Sequence, residues 1–307
     1  MENVIQIKNL KKDFGDIKAL QGINLTVNRG EMFGLVGPDG AGKTTLIRIL
    51  CGIYKPTEGD ANILGFNSIK GANKIKNKIG YLSQKFSLYS DLTVDENIEF
   101  FAEIHGVKDY KKRREELLEF TRLKQFRDRF ADKLSGGMKQ KLALACTLIH
   151  QPEIIFLDEP TTGVDPVSRR DFWKILSSLL NMNITIFLTT PYLDEVERCN
   201  RVAFLNKGLI LKIDTPKKLK ELIKYTIVEI IPSNVREAFK ILNSSYIFED
   251  IQAFGDRLNV FIKKYNIEYN ILQEILEKGN IKILQNRIIQ PNLENVFIHL
   301  IKKDIKS

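Results

Sequence analysis

The chain has 307 residues, 43% of them hydrophobic and 28% charged, with a formal net charge of +9. That length suits one large domain and one small one, and the balance is that of a globular protein rather than a disordered or fibrous one. No stretch approaches the roughly 18 consecutive apolar residues of a membrane span, and "MENVIQIKNL" lacks the basic flank and apolar core of a secretory leader, so a cytosolic chain is expected.

In chain order, residues 1–30 read as short strands, with "IQIKNL" and "GINLTV" alternating apolar and polar. "EMFGLVG" is a buried strand that feeds a glycine-rich turn and the apolar helix "KTTLIRILCG". Thr93-Val94-Asp95-Glu96 has capping-box spacing and opens a helix to about His105, with more helix through about Phe126. Ser135 begins another helix reaching about His150. "EIIFLDE" is a buried strand, "DPVSRRDFWKILSSLL" a helix, "ITIFLTT" a further buried strand, and "RVAFLNKGLILKI" a hairpin around Asn206-Lys207-Gly208. Strands alternating with helices predict an α/β fold, a parallel sheet wrapped by helices. From Tyr225 the pattern changes to "TIVEII", a helix near Asn234–Leu242, "IFEDIQAF", "RLNVFIKK", a helix near Tyr269–Glu277 and "IKILQNRII". This predicts two domains, 1–224 and a small α+β domain at 225–307.

Between residues 225 and 307 there are 11 Lys/Arg and 10 Asp/Glu, so 8 of the 9 net positive charges lie before Tyr225. The densest clusters, "YKKRREE" and "TPKKLKE", mix in acids on helices, which reads as solvated faces before an acidic membrane surface, and last as nucleic-acid binding. Cys51, Cys146 and Cys199 form no CxxC pair and read as free thiols. His105, His150 and His299 are dispersed and read as structural.

Three motifs carry chemistry. Gly37-Pro38-Asp39-Gly40-Ala41-Gly42-Lys43-Thr44 fits the phosphate-loop pattern, with Thr45 next in the helix. Its glycines let backbone N–H groups turn inward around phosphate oxygens, Lys43 would reach the β and γ phosphates, and the Thr44 hydroxyl would ligate Mg²⁺. The helix start adds its positive dipole end. In "IIFLDE", Asp158 at the strand end suits a partner or ligand of Mg²⁺, and Glu159 would polarise the attacking water as general base. In "LSGGMKQK", Ser135 precedes Gly136, Gly137 and a helix, a second helix start able to face an anion.

Together these motifs resemble the ATP-binding cassette (ABC) family over about residues 1–220. "LSGGMKQ" resembles the family signature, and "GVDP" (Gly163–Pro166) the loop that crosses its dimer interface. Gln84 in "YLSQ" is similar to the Gln that senses Mg²⁺ and couples to the membrane partner; as a plain strand-end residue it would be unremarked. Phe14 in "KDFG" is similar to the aromatic that stacks on adenine, against the alternative of a core phenylalanine. The resemblance implies a P-loop NTPase fold with a helical subdomain at about 86–150 and a head-to-tail dimer. Two ATP molecules would be held between one subunit's Lys43 and the other's Ser135, with Mg²⁺ at Thr44, Gln84 and Asp158. The site residues are then Glu159, Lys43 and Gln84 for catalysis. Phe14, Gly37 through Thr45, and Ser135–Gly137 would serve nucleotide binding.

"YLSQKFSLYSDLTVDENIEFFAEIHG", "TPYLDEVERC" and "QPNLENVFIHLI" resemble the type-2 exporter and drug-export branch. That implies a separate integral-membrane permease, a second ABC ATPase in a homodimer or heterodimer, and a place on the inner face of the membrane. Nucleic-acid-associated, regulatory and import cassettes are the alternatives. One departure stands out in "FLTTPYLDE": Pro191 holds the place of the histidine that the family aims at the γ phosphate. An inactive half of a pair, and a slow motor with Thr190 or a water filling the gap, are both open; intact Lys43, Asp158 and Glu159 favour the slow motor.

Overall fold

The structure, a computed structural model, describes residues 2–85 and 88–306, the side chains of 304–306 excepted. Phe86 and Ser87, at the expected start of the helical subdomain and inside the exporter-like stretch, lie outside the described residues. The chain divides into two compact units, 1–215 and 216–307.

The first unit opens with a hairpin of two long strands, β1 (Asn3–Phe14) and β2 (Ile17–Asn28). Sequence alternation suggests shorter strands because the β1–β2 register shifts between Asn3/Ile5, Ile7/Leu10, Leu10/Lys11 and Lys12/Asp13. Each bulge resets the two-residue period and makes one strand read as several. Next come β3 (Met32–Val36), α1 (Lys43–Leu50), β4 (Glu58–Ile63), β5 (Phe66–Asn67), α2 (Ala72–Ile75) and β6 (Ile79–Leu82). Then follow α3 (Val94–Ile104), α4 (Tyr110–Thr121), α5 (Gly136–Leu148), β7 (Ile154–Asp158) and α6 (Pro166–Asn181). The unit ends with β8 (Thr185–Thr190), α7 (Leu193–Val196), β9 (Arg201–Asn206) and β10 (Leu209–Asp214).

Its central sheet has the order β10-β9-β3-β8-β7-β6, parallel except for β10. A second sheet, β2-β1-β4-β5, is antiparallel. Leu46, Ile47, Ile49 and Leu50 of α1 are buried in one core with Ile5, Ile23 and Ile63 of the antiparallel sheet and Phe33, Phe156 and Phe187 of the parallel one. A helix apolar on several sides belongs between layers, and this packing fixes the turn that precedes it. α3 carries a complete capping box, Thr93 with Glu96. The β9–β10 turn places Lys207 and Gly208 at φ 46 and 74, the two positive values that a two-residue type I′ hairpin requires.

In the second unit, α8 (Pro216–Lys220) and α11 (Leu293–Lys306) pack together. This contact draws Pro216–Lys220 into that unit and moves its boundary nine residues ahead of the change in sequence pattern at Tyr225. The remainder runs β11 (Thr226–Pro232), α9 (Val235–Ser244), β12 (Asp250–Phe254), β13 (Arg257–Ile262), α10 (Tyr265–Lys278) and β14 (Ile283–Ile289). With sheet order β12-β13-β11-β14, all pairs antiparallel, this is the ferredoxin-like βαββαβ topology. Val228, Ile230, Leu242, Leu258, Val260 and Leu272 lie in a core of its own.

Candidate nucleotide site

Parallel sheets present their ligand sites at the carboxyl ends of the strands. Here the ends of β3, β6, β7 and β8 carry the phosphate loop, Gln84, Asp158–Glu159 and Pro191. The cleft they border has a volume of about 720 Å³, and its lining includes Lys43, Thr44, Gln84, Glu159, Pro191 and Tyr192. Asp39, Gly40, Gly42 and Thr45 line it too.

The loop is shaped by close approach. Gly42 has φ 107, and a Cβ there would sit 2.5 Å from the Ala19 carbonyl oxygen. Glycine is therefore required on both conformational and steric grounds. Lys43 is 4% exposed and its ammonium donates to the carbonyls of Gly37 at 2.9 Å and Pro38 at 3.1 Å. It also forms an ion pair with Glu159 Oε1 at 3.1 Å. Neither Gly37, Pro38 nor Ala41 lines the cleft; the first two hold the lysine from behind.

Glu159 adopts φ 51, a left-handed conformation uncommon outside glycine. Its N–H meets both the carbonyl and the hydroxyl oxygen of Thr189 at 3.1 Å, which fixes the strained backbone. Glu159 Oε2 accepts from Gln84 Nε2 at 3.0 Å and from Thr162 Oγ1 at 3.4 Å. The carboxylate thus joins the phosphate-loop lysine, the end of β6 and the segment after β7.

Asp158 is fully buried, and its Oδ1 accepts from Thr44 Oγ1 at 3.1 Å and Thr189 Oγ1 at 2.7 Å. Its Oδ2 is buried with no hydrogen-bond partner among the described residues. An orphaned carboxylate oxygen beside a threonine hydroxyl, with the Gln84 amide on a residue of the cleft lining, offers oxygen donors. These suit a hard cation such as Mg²⁺, which binds through one or two carboxylates and completes its octahedral shell with other oxygens, water and phosphate. Thr44, Gln84 and Asp158 are the residues that would hold it. Among the described residues no group of three His, Cys, Asp or Glu forms an all-protein metal cage.

Phe14 does not line the cleft. It is 43% exposed at the end of β1, with its ring edge-on to Tyr54 at 5.6 Å and Lys12 Nζ 4.8 Å from its centroid. Ile17, 70% exposed on the same hairpin, does line it, as do Lys18 and Lys207. An apolar edge for a base is therefore present at Ile17, where sequence reasoning expects Phe14.

Ser135, Gly136 and Gly137 are also outside the cleft. Ser135 N-caps α5, accepting from Met138 N at 3.3 Å. A Cβ on Gly137 would meet Ser168 Cβ at 2.3 Å, so glycine lets α5 lie against the start of α6. Asp165 of "GVDP" caps α6 through Val167 N and Ser168 N, with Pro166 in its first turn. Gln140 Nε2 donates to the Pro160 carbonyl at 2.5 Å, tying the signature helix to the residue after Glu159.

Four participants escaped the sequence reading: Thr189, Thr162, Tyr192 and Glu195. Glu195 is 2% exposed and accepts from Thr161 Oγ1 at 2.5 Å and Thr190 Oγ1 at 2.7 Å. The Thr190 hydroxyl is consequently already engaged, which removes it as the group that makes good the absent histidine. His105 and His150 stack at 3.9 Å away from the cleft, and His299 lies in the second unit beside Asp250. Burial pushes the thiols of Cys51, Cys146 and Cys199 up, and all three are free.

Comparison with known proteins then decides the family. The ABC transporter profile matches residues 20–162. The linearmycin resistance ATP-binding protein LnrL of Bacillus subtilis (strain 168) is 31% identical over 311 residues, covering 99% of this chain and 100% of that protein. The chain belongs to the ABC transporter family, as an ATP-binding protein. A probable multidrug ABC transporter ATP-binding protein, YbhF of Escherichia coli (strain K12), is 42% identical over 221 residues, which is 71% of this chain. The match spans only 38% of the length of YbhF. Among solved structures, the ABC cassette MJ0796, a dimer in a post-hydrolysis state with ADP and Pi, superposes with a TM-score of 0.63 at 29% identity. That match covers 69% of this chain and 98% of the cassette. The ABC fold and nucleotide-binding character of the first unit follow. No helix among the described residues is long and apolar enough to cross a membrane.

Proposed function

We propose that this ABC protein hydrolyses ATP and is the motor subunit of a membrane exporter. The observation that carries the reading is the convergence of Lys43, Thr44, Gln84, Asp158 and Glu159 at one strand-end cleft. Lys43 neutralises the β and γ phosphates. Thr44, Asp158 and Gln84 hold Mg²⁺, which when bound offsets charge on the same phosphates. Glu159, freed from Lys43 as phosphate oxygens compete for the ammonium, accepts a proton from the attacking water.

Ser135 heads a 13-residue helix but lies outside the cleft of its own chain. A second copy, or a second ABC ATPase, would supply that helix start to the terminal phosphate, so the working state is a dimer. Names of the relatives, multidrug and linearmycin resistance, support export as the direction. The membrane-spanning permease is then a separate chain, and this one sits on the inner face of the membrane. A regulatory cassette with little turnover is the second reading, favoured by Pro191 alone. Sedimentation of Glu159→Gln with and without ATP tests the sandwich: an ATP-dependent dimer is expected, and a monomer under both conditions would contradict it.

A further inference from the structure

Pro191 and Tyr192 line the cleft just after Thr190 at the end of β8, and the donors offered by the side chains of 190–192 and by the Tyr192 N–H can be traced one by one. Thr190 Oγ1 donates to Glu195 Oε2 at 2.7 Å. Pro191 has no N–H and no polar side-chain atom. The backbone N–H of Tyr192 donates to Thr190 Oγ1 at 3.0 Å. The remaining donor is the Tyr192 hydroxyl, which has no hydrogen-bond partner among the described residues, on a residue that lines the cleft with Lys43, Gln84 and Glu159.

The ring that carries this hydroxyl is held in place. The Arg169 guanidinium lies over it at 4.8 Å from the centroid, a cation–π contact. Arg169 Nε in turn pairs with Glu195 Oε1 at 3.5 Å. Glu195 is the buried carboxylate that also receives the Thr161 and Thr190 hydroxyls, so the ring is referenced to both the segment after Glu159 and the end of β8. An open, floppy tyrosine would have no such support.

We infer that Tyr192 is a catalytic residue, its hydroxyl being the donor that this stretch offers to the terminal phosphate of bound ATP. The inference rests on the ATPase reading and goes beyond it by naming a contact. A phenol donates a neutral O–H to an anionic oxygen. It thereby adds a directed bond without placing a second cation against Lys43. Removing one hydrogen bond to a charged group corresponds to about a 10- to 100-fold loss.

The test compares wild-type protein and Tyr192→Phe for steady-state phosphate release and for ATP and ADP affinity. Phenylalanine keeps the ring and its contact with Arg169. Expected is an about 10- to 100-fold fall in turnover, with ADP affinity unchanged because ADP lacks the contacted phosphate. Unchanged turnover in Tyr192→Phe would overturn the inference. So would a parallel loss of ADP affinity, which would mark a merely structural role. Wild-type protein that binds neither nucleotide would overturn the ATPase reading, and this inference with it; wild-type protein that binds and hydrolyses ATP regardless of the Tyr192 hydroxyl would leave that reading standing and remove only the inference.

Discussion

Lys43 and Glu159 meet at 3.1 Å, with the lysine 4% exposed and the glutamate 7%. The cation that would bind phosphate and the carboxylate that would activate water thus neutralise each other. On the proposed function, an incoming terminal phosphate would compete with Glu159 for the same ammonium and so free the base when there is substrate to attack. A buried pair is costly to break from one side, because the remaining charge is left uncompensated.

Lys43→Ala follows from this relationship. It removes the phosphate contact and strands Glu159 with Gln84 and Thr162. ATP affinity measured by nucleotide titration should fall by about 100-fold, the scale of a lost charge-assisted bond. Affinity equal to wild type would mean that Lys43 does not meet the phosphates.

Much of this cleft is legible in sequence because its parts are local. The phosphate loop is eight consecutive residues, and Asp158–Glu159 end an unbroken apolar strand. Thr189, Thr162 and Tyr192 were not legible. Thr189 and Tyr192 reach the site because β8 pairs with β7, and Thr162 because the turn after Glu159 folds its hydroxyl back onto that carboxylate; nothing in their own neighbourhoods announces either. Glu195 carries no local signal of burial, whereas the fold buries it under two threonine hydroxyls. In the first hairpin, bulges break the alternation that would have revealed its full length. For α8, a tertiary contact with α11 overrides the local sequence break at Tyr225.

Gly137→Ala tests the seam between α5 and α6. The added methyl would lie 2.3 Å from Ser168 Cβ and 2.4 Å from Ser168 Oγ. Overpacking of this kind costs roughly 1–3 kcal/mol, so thermal unfolding should shift downward. Ser168→Gly in the same chain should recover much of that shift. Equal unfolding temperatures for wild type and Gly137→Ala would show that the helices separate freely.

His105 gives the first unit an acid-sensitive element. Burial, then the neighbouring His150 and Lys76, lower its pKa from 6.5 to about 4. Its folded pKa is depressed, so its contribution is complete above pH 6.5 and is lost as pH falls towards 4. The unfolded chain takes up the proton first. Urea unfolding of wild type and His105→Gln at pH 7 and pH 4.5 should show a smaller loss of stability for the variant between the two pH values. Parallel drops would exclude His105 as the cause.

Asp250 sets a lower window in the second unit. Burial pushes its carboxyl up, but hydrogen bonds from His299, Lys302 and Gln252 outweigh that and hold it at about 2. Its contribution is present above the usual 3.8 and is lost as pH falls through about 2. Lys302→Met, which removes the 2.6 Å ion pair, should shift loss of the second unit's structure to higher pH in an acid titration followed by circular dichroism. An unchanged titration midpoint would mean that Lys302 does not support Asp250.

The measurement that bears most directly on the account is steady-state phosphate release by wild-type protein and Glu159→Gln, with Mg²⁺ and ATP, alongside ATP affinity. Glutamine keeps the shape of the side chain and loses the base. The account expects measurable turnover in the wild type, a fall of about 10²–10⁴-fold in the variant, and ATP affinity that is retained. Wild-type turnover that survives intact in Glu159→Gln would contradict it.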